Sequence, residues 1–209
     1  MLWRNLIGTA AGDNSIDFNG SSSYIYNGAA GTNFGTGDFT LEAWIRPDAT
    51  SGYRGIMGQN YNSSGGMLYI LNGQLQYYQG GAIATGGTIN VDTWYHVAAS
   101  RSGSTLRLFV DGTQVTSATV SFNITADDLL VGGANSSANA VPNTEFFDGE
   151  IYRPRWSNSA RYTSAFTPSK SYGVDANTIA LIVAYGAVPT EIDQSLSLTT
   201  SNLAAGSAP

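Results

Sequence analysis

Residues 94–115, WYHVAASRSGSTLRLFVDGTQV, constrain the fold most, because this one stretch predicts three consecutive strands. Side chains alternate with a period of two before and after a Ser102-Gly103-Ser104 turn, as they do in a hairpin. Asp111-Gly112 follows, a pair that tolerates the positive φ angles of a type I′ turn. A third strand is therefore expected to return antiparallel after Gly112.

The same periodicity recurs along the chain. In residues 38–47 every second side chain is apolar, so one face is expected to be core, and Trp44 on the other face predicts that loops cover that side too. Asn72-Gly73 predicts a second type I′ turn. Pro154 lacks a backbone N–H, which predicts an edge strand or a bulge there. Further strands are predicted at residues 15–26 with a turn at Asn19-Gly20, 53–60, 66–72, 75–78, around 83, 129–133, 150–156, 178–185 and 195–200.

Composition supports an all-β fold. Strand signals recur roughly every 8–12 residues, and no helical segment is long enough to close a parallel βαβ unit. The 25 glycines and the low charged fraction of 11% suit many short strands joined by tight turns. This spacing is typical of a sandwich or a barrel, and at 209 residues the chain fits one domain, for which a single sandwich is the first expectation.

Charge and cysteine content argue against several classes of function. The net charge is −6 and no run of Lys or Arg occurs, so no nucleic-acid partner is expected. The chain has no cysteine, which excludes disulfides and thiolate metal sites. Residues 1–15 are too polar, and their apolar patch too short, for a signal peptide or a membrane span, so no membrane insertion is expected.

The order of the strand motifs resembles the laminin-G-like branch of the concanavalin A-like jelly rolls. The motifs are DFNGSSSY (17–24), FTLEAWIRP (39–47), WYHVAASR (94–101), LRLFVDGTQV (106–115), LLVGG (129–133) and FFDGEIYRPRW (146–156). The resemblance implies an all-β, two-sheet antiparallel β-sandwich, a concanavalin A-like jelly roll, over residues 1–172. Residues 173–209 are then expected to form a strand pair with a frayed end that completes this domain or docks on a neighbour.

A narrower resemblance lies in SARYTSAFTPSKSY (159–172) followed by DANTIALI (175–182). These segments look like laminin-G-like domains in structural proteins of tailed bacteriophages. The resemblance implies a non-enzymatic virion protein, either a head decoration or a tail-associated accessory. Such a protein is made in the host cytoplasm without a signal peptide and adheres to capsid or tail proteins, with self-association left open. The alternative is a carbohydrate-binding module that attaches to host or environmental glycans.

No catalytic constellation is predicted. Glycanases need two suitably spaced carboxylates, but Thr40 and Trp44 flank Glu42 at the positions two residues away. The only histidine, His96, lies on a predicted central strand without a nucleophile motif beside it. A buried, hydrogen-bonded imidazole is the expectation for His96.

Calcium is the cofactor that the laminin-G resemblance raises. Where that family commonly has aspartates, this chain has Ser23 and Tyr152-Arg153, and an arginine opposes a cation. Asp17, Asn19 and Asp148 remain as candidate ligands, with turn capping the preferred interpretation. We therefore expect no cofactor and no calcium requirement.

Tyrosines concentrate in one hairpin region, and they are the candidate binding residues. Three roles are open for them: packing within the fold, anchoring a protein interface, or stacking on sugar rings. The residues are Tyr53, Tyr61, Tyr69, Tyr77 and Tyr78.

Overall fold

The computed structural model describes residues 13–28, 30–137, 140–185, 188–191, 199–201, 204–205 and 209. All regular structure in this part of the chain is β, as predicted, and no helix that could cross a membrane occurs in it. The first strands are β1 (Asp13–Asn14), β2 (Ile16–Asn19), β3 (Tyr24–Asn27), β4 (Phe39–Pro47), β5 (Tyr53–Gly58), β6 (Met67–Leu71), β7 (Gln74–Tyr78) and β8 (Ala82–Thr88). They are followed by β9 (Tyr95–Ser102), β10 (Thr105–Val110), β11 (Thr113–Thr119), β12 (Leu129–Val131), β13 (Asp148–Ser157), β14 (Thr178–Tyr185), β15 (Val188–Glu191), β16 (Thr199–Ser201) and β17 (Ala204–Ala205).

The strands form two antiparallel sheets, which confirms the predicted sandwich. The ten-stranded sheet has the order β1-β14-β13-β4-β9-β10-β11, with β2 on β13, β15 on β14 and β17 on β2. The seven-stranded sheet has the order β16-β3-β12-β5-β6-β7-β8. The stretch from β9 to β11 is the predicted run of three adjacent strands.

The core lies between the inner faces of the two sheets. The ten-stranded sheet contributes alternate residues of β4, namely Phe39, Leu41, Ala43 and Ile45, all of them fully buried. The seven-stranded sheet contributes alternate residues such as Leu68 and Ile70. Two-residue alternation therefore assigns the inner face of β4 correctly.

Two of the predicted turns have the expected backbone. Asn72 and Gly73 have φ angles of 47° and 76°, and Asp111 and Gly112 have 48° and 75°, so both pairs occupy the left-handed region that a type I′ turn requires. The Asn19-Gly20 turn differs, since it connects β2 in one sheet to β3 in the other. This turn crosses the sandwich instead of closing a hairpin.

Pro154 lies on a central strand and not at an edge. β13 is flanked by β14 and β4, and its pairing with β4 is interrupted between Tyr152 and Arg155. Arg153 has a φ of 50°, so the backbone bulges immediately before the proline. The bulge therefore removes the need for the N–H that proline lacks, and the edge alternative is wrong.

The C-terminal strands pair with both sheets. β14, predicted with the same bounds, is hydrogen-bonded to β13 and β1, and β16 pairs with β3. Of the predicted strand 195–200, only residues 199–200 are described. Residues 1–12, and residues 206–208 of the end predicted to fray, lie outside the described residues, whereas Ala204 and Ala205 of that end form β17 and pair with β2.

Candidate functional site

Tyr77 does not belong to any surface site. Its side chain is fully buried in the core, where its ring lies 5.9 Å from those of Phe39 and Phe122. Burial raises the pKa of its hydroxyl well above the ordinary value. The strand alternation explains the position, because Tyr77 shares the inward face of β7 with Leu75.

The other four candidate tyrosines meet on the outer face of the seven-stranded sheet. The Tyr53 ring lies 5.4 Å from Tyr69 and 6.3 Å from Tyr78, and Tyr78 lies 6.2 Å from Tyr69 and 6.1 Å from Tyr61. All four contacts are edge-to-face, the geometry that aromatic quadrupoles favour. We call Tyr53, Tyr61, Tyr69 and Tyr78 the tyrosine face.

Exposure differs across the tyrosine face. Tyr69 is the floor, with 1% of its surface exposed, whereas Tyr53 is 36% exposed and Tyr61 and Tyr78 are half-buried. Met67, Leu130 and Ala134 pack beneath, and Tyr26 packs beside them. Sequence reasoning missed Tyr26, although its alternation with the core residue Ile25 on β3 was a usable signal.

The loop that carries Tyr61 is held in place by backbone hydrogen bonds. The Tyr61 N–H donates to the carbonyl of Asn135 at 3.1 Å, and the Tyr61 carbonyl accepts from the N–H of Gly80 at 2.9 Å. The Asn62 side chain also donates to the Ser136 carbonyl at 3.0 Å. This edge of the tyrosine face is therefore fixed on both sides.

Tyr69, the floor of the tyrosine face, and its neighbour Gln76 have buried polar atoms. Tyr69 is paired in register with Gln76, and Gln76 with Thr85, so the three residues form a row across β6, β7 and β8. Gln76 is 3% exposed and donates to Thr85 Oγ1 at 2.9 Å, but its Oε1 has no hydrogen-bond partner among the described residues. The Tyr69 hydroxyl is likewise buried without a partner in that part of the chain. Such atoms are costly unless something satisfies them.

Glu145 lies beside the Tyr69 hydroxyl. Its carbonyl accepts from the Gly55 N–H at 2.7 Å, and its φ of 55° is unusual for a glutamate. Burial raises the pKa of Glu145, and burial together with the Glu145 charge raises that of Tyr69. The two groups interact electrostatically without meeting the geometry of a hydrogen bond, so Glu145 Oε2 is also without a partner in the described residues.

The outer face of the ten-stranded sheet is closed by residues 159–173, which we call the covering segment. Trp44 Nε1 donates to the Ser169 carbonyl at 3.1 Å, and the Phe166 N–H donates to the Gly112 carbonyl at 3.0 Å. Tyr162 stacks on Phe166 at 3.5 Å, and both rings lie edge-on to His96. The cover predicted over Trp44 is thus confirmed.

Glu42 is the centre of a charged network under this segment. It is fully buried, and it accepts from Arg155 Nη2 at 2.6 Å and from the Tyr162 hydroxyl at 2.6 Å, with His96 Nε2 at 3.1 Å. Burial alone would raise its pKa, but the His96 hydrogen bond and the Arg155 charge outweigh burial and hold the pKa below the ordinary value. The carboxylate is therefore fully engaged in the fold.

His96 is buried as predicted, but only half of its imidazole is satisfied. Nε2 meets Glu42, whereas Nδ1 has no hydrogen-bond partner among the described residues. Aromatic rings surround the imidazole on several sides, including Trp44 at 5.5 Å and Tyr172 at 6.2 Å. The prediction of a hydrogen-bonded imidazole is right for one nitrogen.

The two sequence motifs of the narrower resemblance, in residues 159–172 and 175–182, contact each other in the structure. Arg161 donates two hydrogen bonds to Asp175, at 2.8 and 2.7 Å, and one to Thr178 Oγ1 at 3.1 Å. The hydrogen bonds from Arg161 hold the pKa of Asp175 well below its ordinary value. The Ala-Arg-Tyr-Thr and Asp-x-x-Thr motifs are thus joined directly, and in this fold they fasten the cover.

The candidate calcium ligands have other contacts. Asn19 Oδ1 accepts from the backbone N–H groups of Ser21, Ser22 and Ser23 at 3.0, 2.9 and 3.1 Å, so it caps the turn. Asp148 on β13 is paired in register with Asn19 on β2. The pKa of Asp17 is raised, first by burial and then by repulsion from neighbouring carboxylates. Within the described residues, no group of three His, Cys, Asp or Glu side chains is arranged to hold a metal ion.

The family model described as the concanavalin A-like lectin/glucanases superfamily, of the laminin-G type, matches residues 19–164. The chain belongs to this superfamily. No protein of curated function matches its sequence.

Three solved structures illustrate the likeness. A candidate carbohydrate-binding protein from Bacteroides ovatus is 16% identical with a TM-score of 0.68, and the match covers 93% of this chain and 60% of that protein. A heptameric pentraxin from Limulus polyphemus is 13% identical with a TM-score of 0.63, covering 94% and 95%. The CBM40 module of a Ruminococcus gnavus sialidase, bound to α2,3-sialyllactose, is 14% identical with a TM-score of 0.58, covering 73% and 95%. At these identities the likeness establishes the shared sandwich.

Proposed function

We propose that the chain is a non-catalytic carbohydrate-binding module and that the tyrosine face holds the glycan. The observation that carries the proposal is a cluster of four tyrosine rings on an outer sheet face, beside buried polar atoms that have no hydrogen-bond partner within the described residues. The names of the Bacteroides ovatus and Ruminococcus gnavus proteins, which share the fold, support this class of function.

The chemistry of the tyrosine face suits a sugar. A pyranose presents apolar C–H groups on its ring faces and hydroxyls around its edge, so it matches a surface that combines aromatic rings with hydrogen-bonding atoms. The edge-to-face contacts and the anchored Tyr61 loop restrict the rings before a ligand arrives. Such restriction lowers the entropic cost of binding.

The opposite face supports a role without bond-making chemistry. Glu42 is the carboxylate with the strongest set of polar partners there, but it is fully buried beneath the covering segment. A general acid or nucleophile must reach its substrate. Glu42 therefore acts in folding rather than in catalysis.

The test is binding of the purified chain to a panel of defined oligosaccharides and polysaccharides. For a glycan that the wild type binds, Tyr53→Ala and Tyr78→Ala should each lower the affinity about tenfold, which corresponds to about 1.4 kcal/mol. Val174→Ala is the matched control, because Val174 is an apolar residue, 49% exposed, in the loop between the covering segment and β14, away from the tyrosine face. Thermal unfolding of each variant confirms that it is folded.

Two outcomes would contradict the proposal. The first is no binding to any member of the panel. The second is binding that both tyrosine variants leave unchanged, which would place the glycan elsewhere. Capture of a protein partner that depends on Tyr53 and Tyr78 while no glycan binds would indicate a protein interface instead.

A role in a tailed-phage particle is a second proposal, and it can coexist with glycan binding. It rests on the resemblance of residues 159–172 and 175–182 to laminin-G-like domains of phage structural proteins. Mass spectrometry of purified particles should detect the chain at a fixed stoichiometry to capsid or tail proteins. Its absence from such particles would overturn this proposal and the virion location with it.

A further inference from the structure

We infer that the tyrosine face selects uncharged glycans and rejects glycans that carry carboxylates, an inference that rests on the proposed function. The carbohydrate-binding neighbours share the fold at identities too low to carry over a ligand, and one of them was solved with a sialylated sugar. The charged residues around the tyrosine face of this chain therefore have to indicate whether its glycan is charged or uncharged.

The charged groups at the tyrosine face are acidic. The Glu145 carbonyl accepts from the N–H of Gly55, which is paired in register with Tyr69, and this places the Glu145 carboxyl beside the Tyr69 hydroxyl on the floor. Asp128 lies near Tyr26, where its charge adds to burial in raising the pKa of that tyrosine. A carboxylate ligand would approach like charges in a partly desolvated setting, which costs more than the same encounter in water.

The described cations are either hydrogen-bonded to backbone carbonyls or lie on the other side of the sandwich. Arg54 lies on β5 beside Tyr53, and its guanidinium donates to the carbonyls of Ser51 at 3.1 Å and Phe146 at 3.2 Å. Every other Arg or Lys in the part of the chain that the structure describes belongs to the ten-stranded sheet or to the covering segment. These are Arg46, Arg101, Arg107, Arg153, Arg155, Arg161 and Lys170. Among the described residues, Arg54 is therefore the one cation on the seven-stranded sheet, and two of its three guanidinium nitrogens are already hydrogen-bonded to backbone carbonyls.

The unpartnered atoms favour the same class of ligand. Gln76 Oε1 and Glu145 Oε2 lack hydrogen-bond donors among the described residues, and the Tyr69 hydroxyl can both donate and accept. A sugar hydroxyl supplies a donor as well as an acceptor, whereas a carboxylate only accepts. These atoms are buried, so they meet a sugar hydroxyl only if one ring of the tyrosine face shifts on binding, whereas the exposed parts of the restricted rings offer a stacking surface without such a shift.

The experiment measures affinities of the full chain for chitohexaose and cellohexaose as uncharged probes, and for α2,3-sialyllactose and polygalacturonate as anionic probes. The uncharged probes should bind at least about tenfold more tightly than the anionic probes, because repulsion between like charges at the tyrosine face weakens binding of the anionic probes. Thr85→Lys adds a cation at the exposed end of the Tyr69-Gln76-Thr85 row, and it should raise affinity for polygalacturonate severalfold at low salt. Thr163→Lys makes the same change at an exposed position of the covering segment and should leave that affinity unchanged.

The outcomes separate the inference from the proposed function. Tighter binding of the anionic probes would overturn the inference while the proposed function stands. An equal gain from Thr85→Lys and Thr163→Lys would also overturn it, because net charge and not the site would then decide. Failure of the wild type to bind any probe, including a wider panel of glycans, would overturn both.

Discussion

Replacing Glu42 with glutamine should destabilise the protein by about 3–5 kcal/mol, because the change leaves Arg155 as a buried charge without its counter-ion. Glu42 is fully buried and the Arg155 side chain is 6% exposed, so water does not replace the lost partner. Two hydrogen bonds join them, at 2.8 and 2.6 Å. For a chain of 209 residues the loss corresponds to a fall in Tm of about 6–20 °C.

The pH dependence gives this prediction a second readout. The pKa of Glu42 in the folded protein lies below its ordinary value of 4.5. The ionised carboxylate therefore contributes stability above about pH 4.5, and that contribution is lost as the pH falls through the folded pKa. The difference between wild type and Glu42→Gln should be full at pH 7 and should shrink on acidification.

Urea unfolding followed by tryptophan fluorescence measures both effects. Tyr162→Phe removes only the 2.6 Å hydrogen bond to Glu42, so it should cost about 1.5–3 kcal/mol and keeps the test informative if the glutamine variant fails to fold. A change below about 0.5 kcal/mol at pH 7 for both variants would refute the reasoning, since surface substitutions have effects of that size.

Two further predictions concern residues that sequence or structure singles out. Tyr77→Ala should cost about 3–5 kcal/mol by opening a cavity between the sheets, whereas Tyr78→Ala should cost clearly less, and equal losses of Tm would contradict the assignment of Tyr77 to the core. Gly112→Ala should cost more than Gly103→Ala: both glycines have positive φ, at 75° and 56°, but only a Cβ at Gly112 would clash with the Phe166 carbonyl oxygen. The Gly103 variant sets the backbone cost at about 1–2 kcal/mol, and a loss at Gly112 no larger than that would show that the covering segment does not depend on this contact.

The sequence predicts the sandwich well because each strand carries its own local signal. Alternation identified the inner face of β4, and Asp111-Gly112 identified a turn from two residues. The position of β13 could not be obtained in this way. Pro154 excludes a regular ladder, but only the neighbouring strands decide between an edge and a bulge, and those neighbours come from distant parts of the chain.

The candidate site was predicted less completely for the same reason. Adjacent tyrosines at 77 and 78 look equivalent in sequence, but they point to opposite sides of the sheet. Glu145 reaches the tyrosine face from a loop between β12 and β13, and no motif marks it. The partnership of Arg161 with Asp175 likewise depends on the path of the covering segment, which has no periodicity to read.

The most direct test of the central proposal is a titration of the ¹⁵N-labelled protein with the tightest-binding uncharged oligosaccharide, followed by NMR. The proposal predicts that backbone shifts concentrate at β5 to β7, at the Tyr61 loop and around Glu145, with saturation at the dissociation constant measured for the wild type. Shifts confined to the ten-stranded sheet and the covering segment, or no saturable shifts with any glycan that the protein retains, would contradict it.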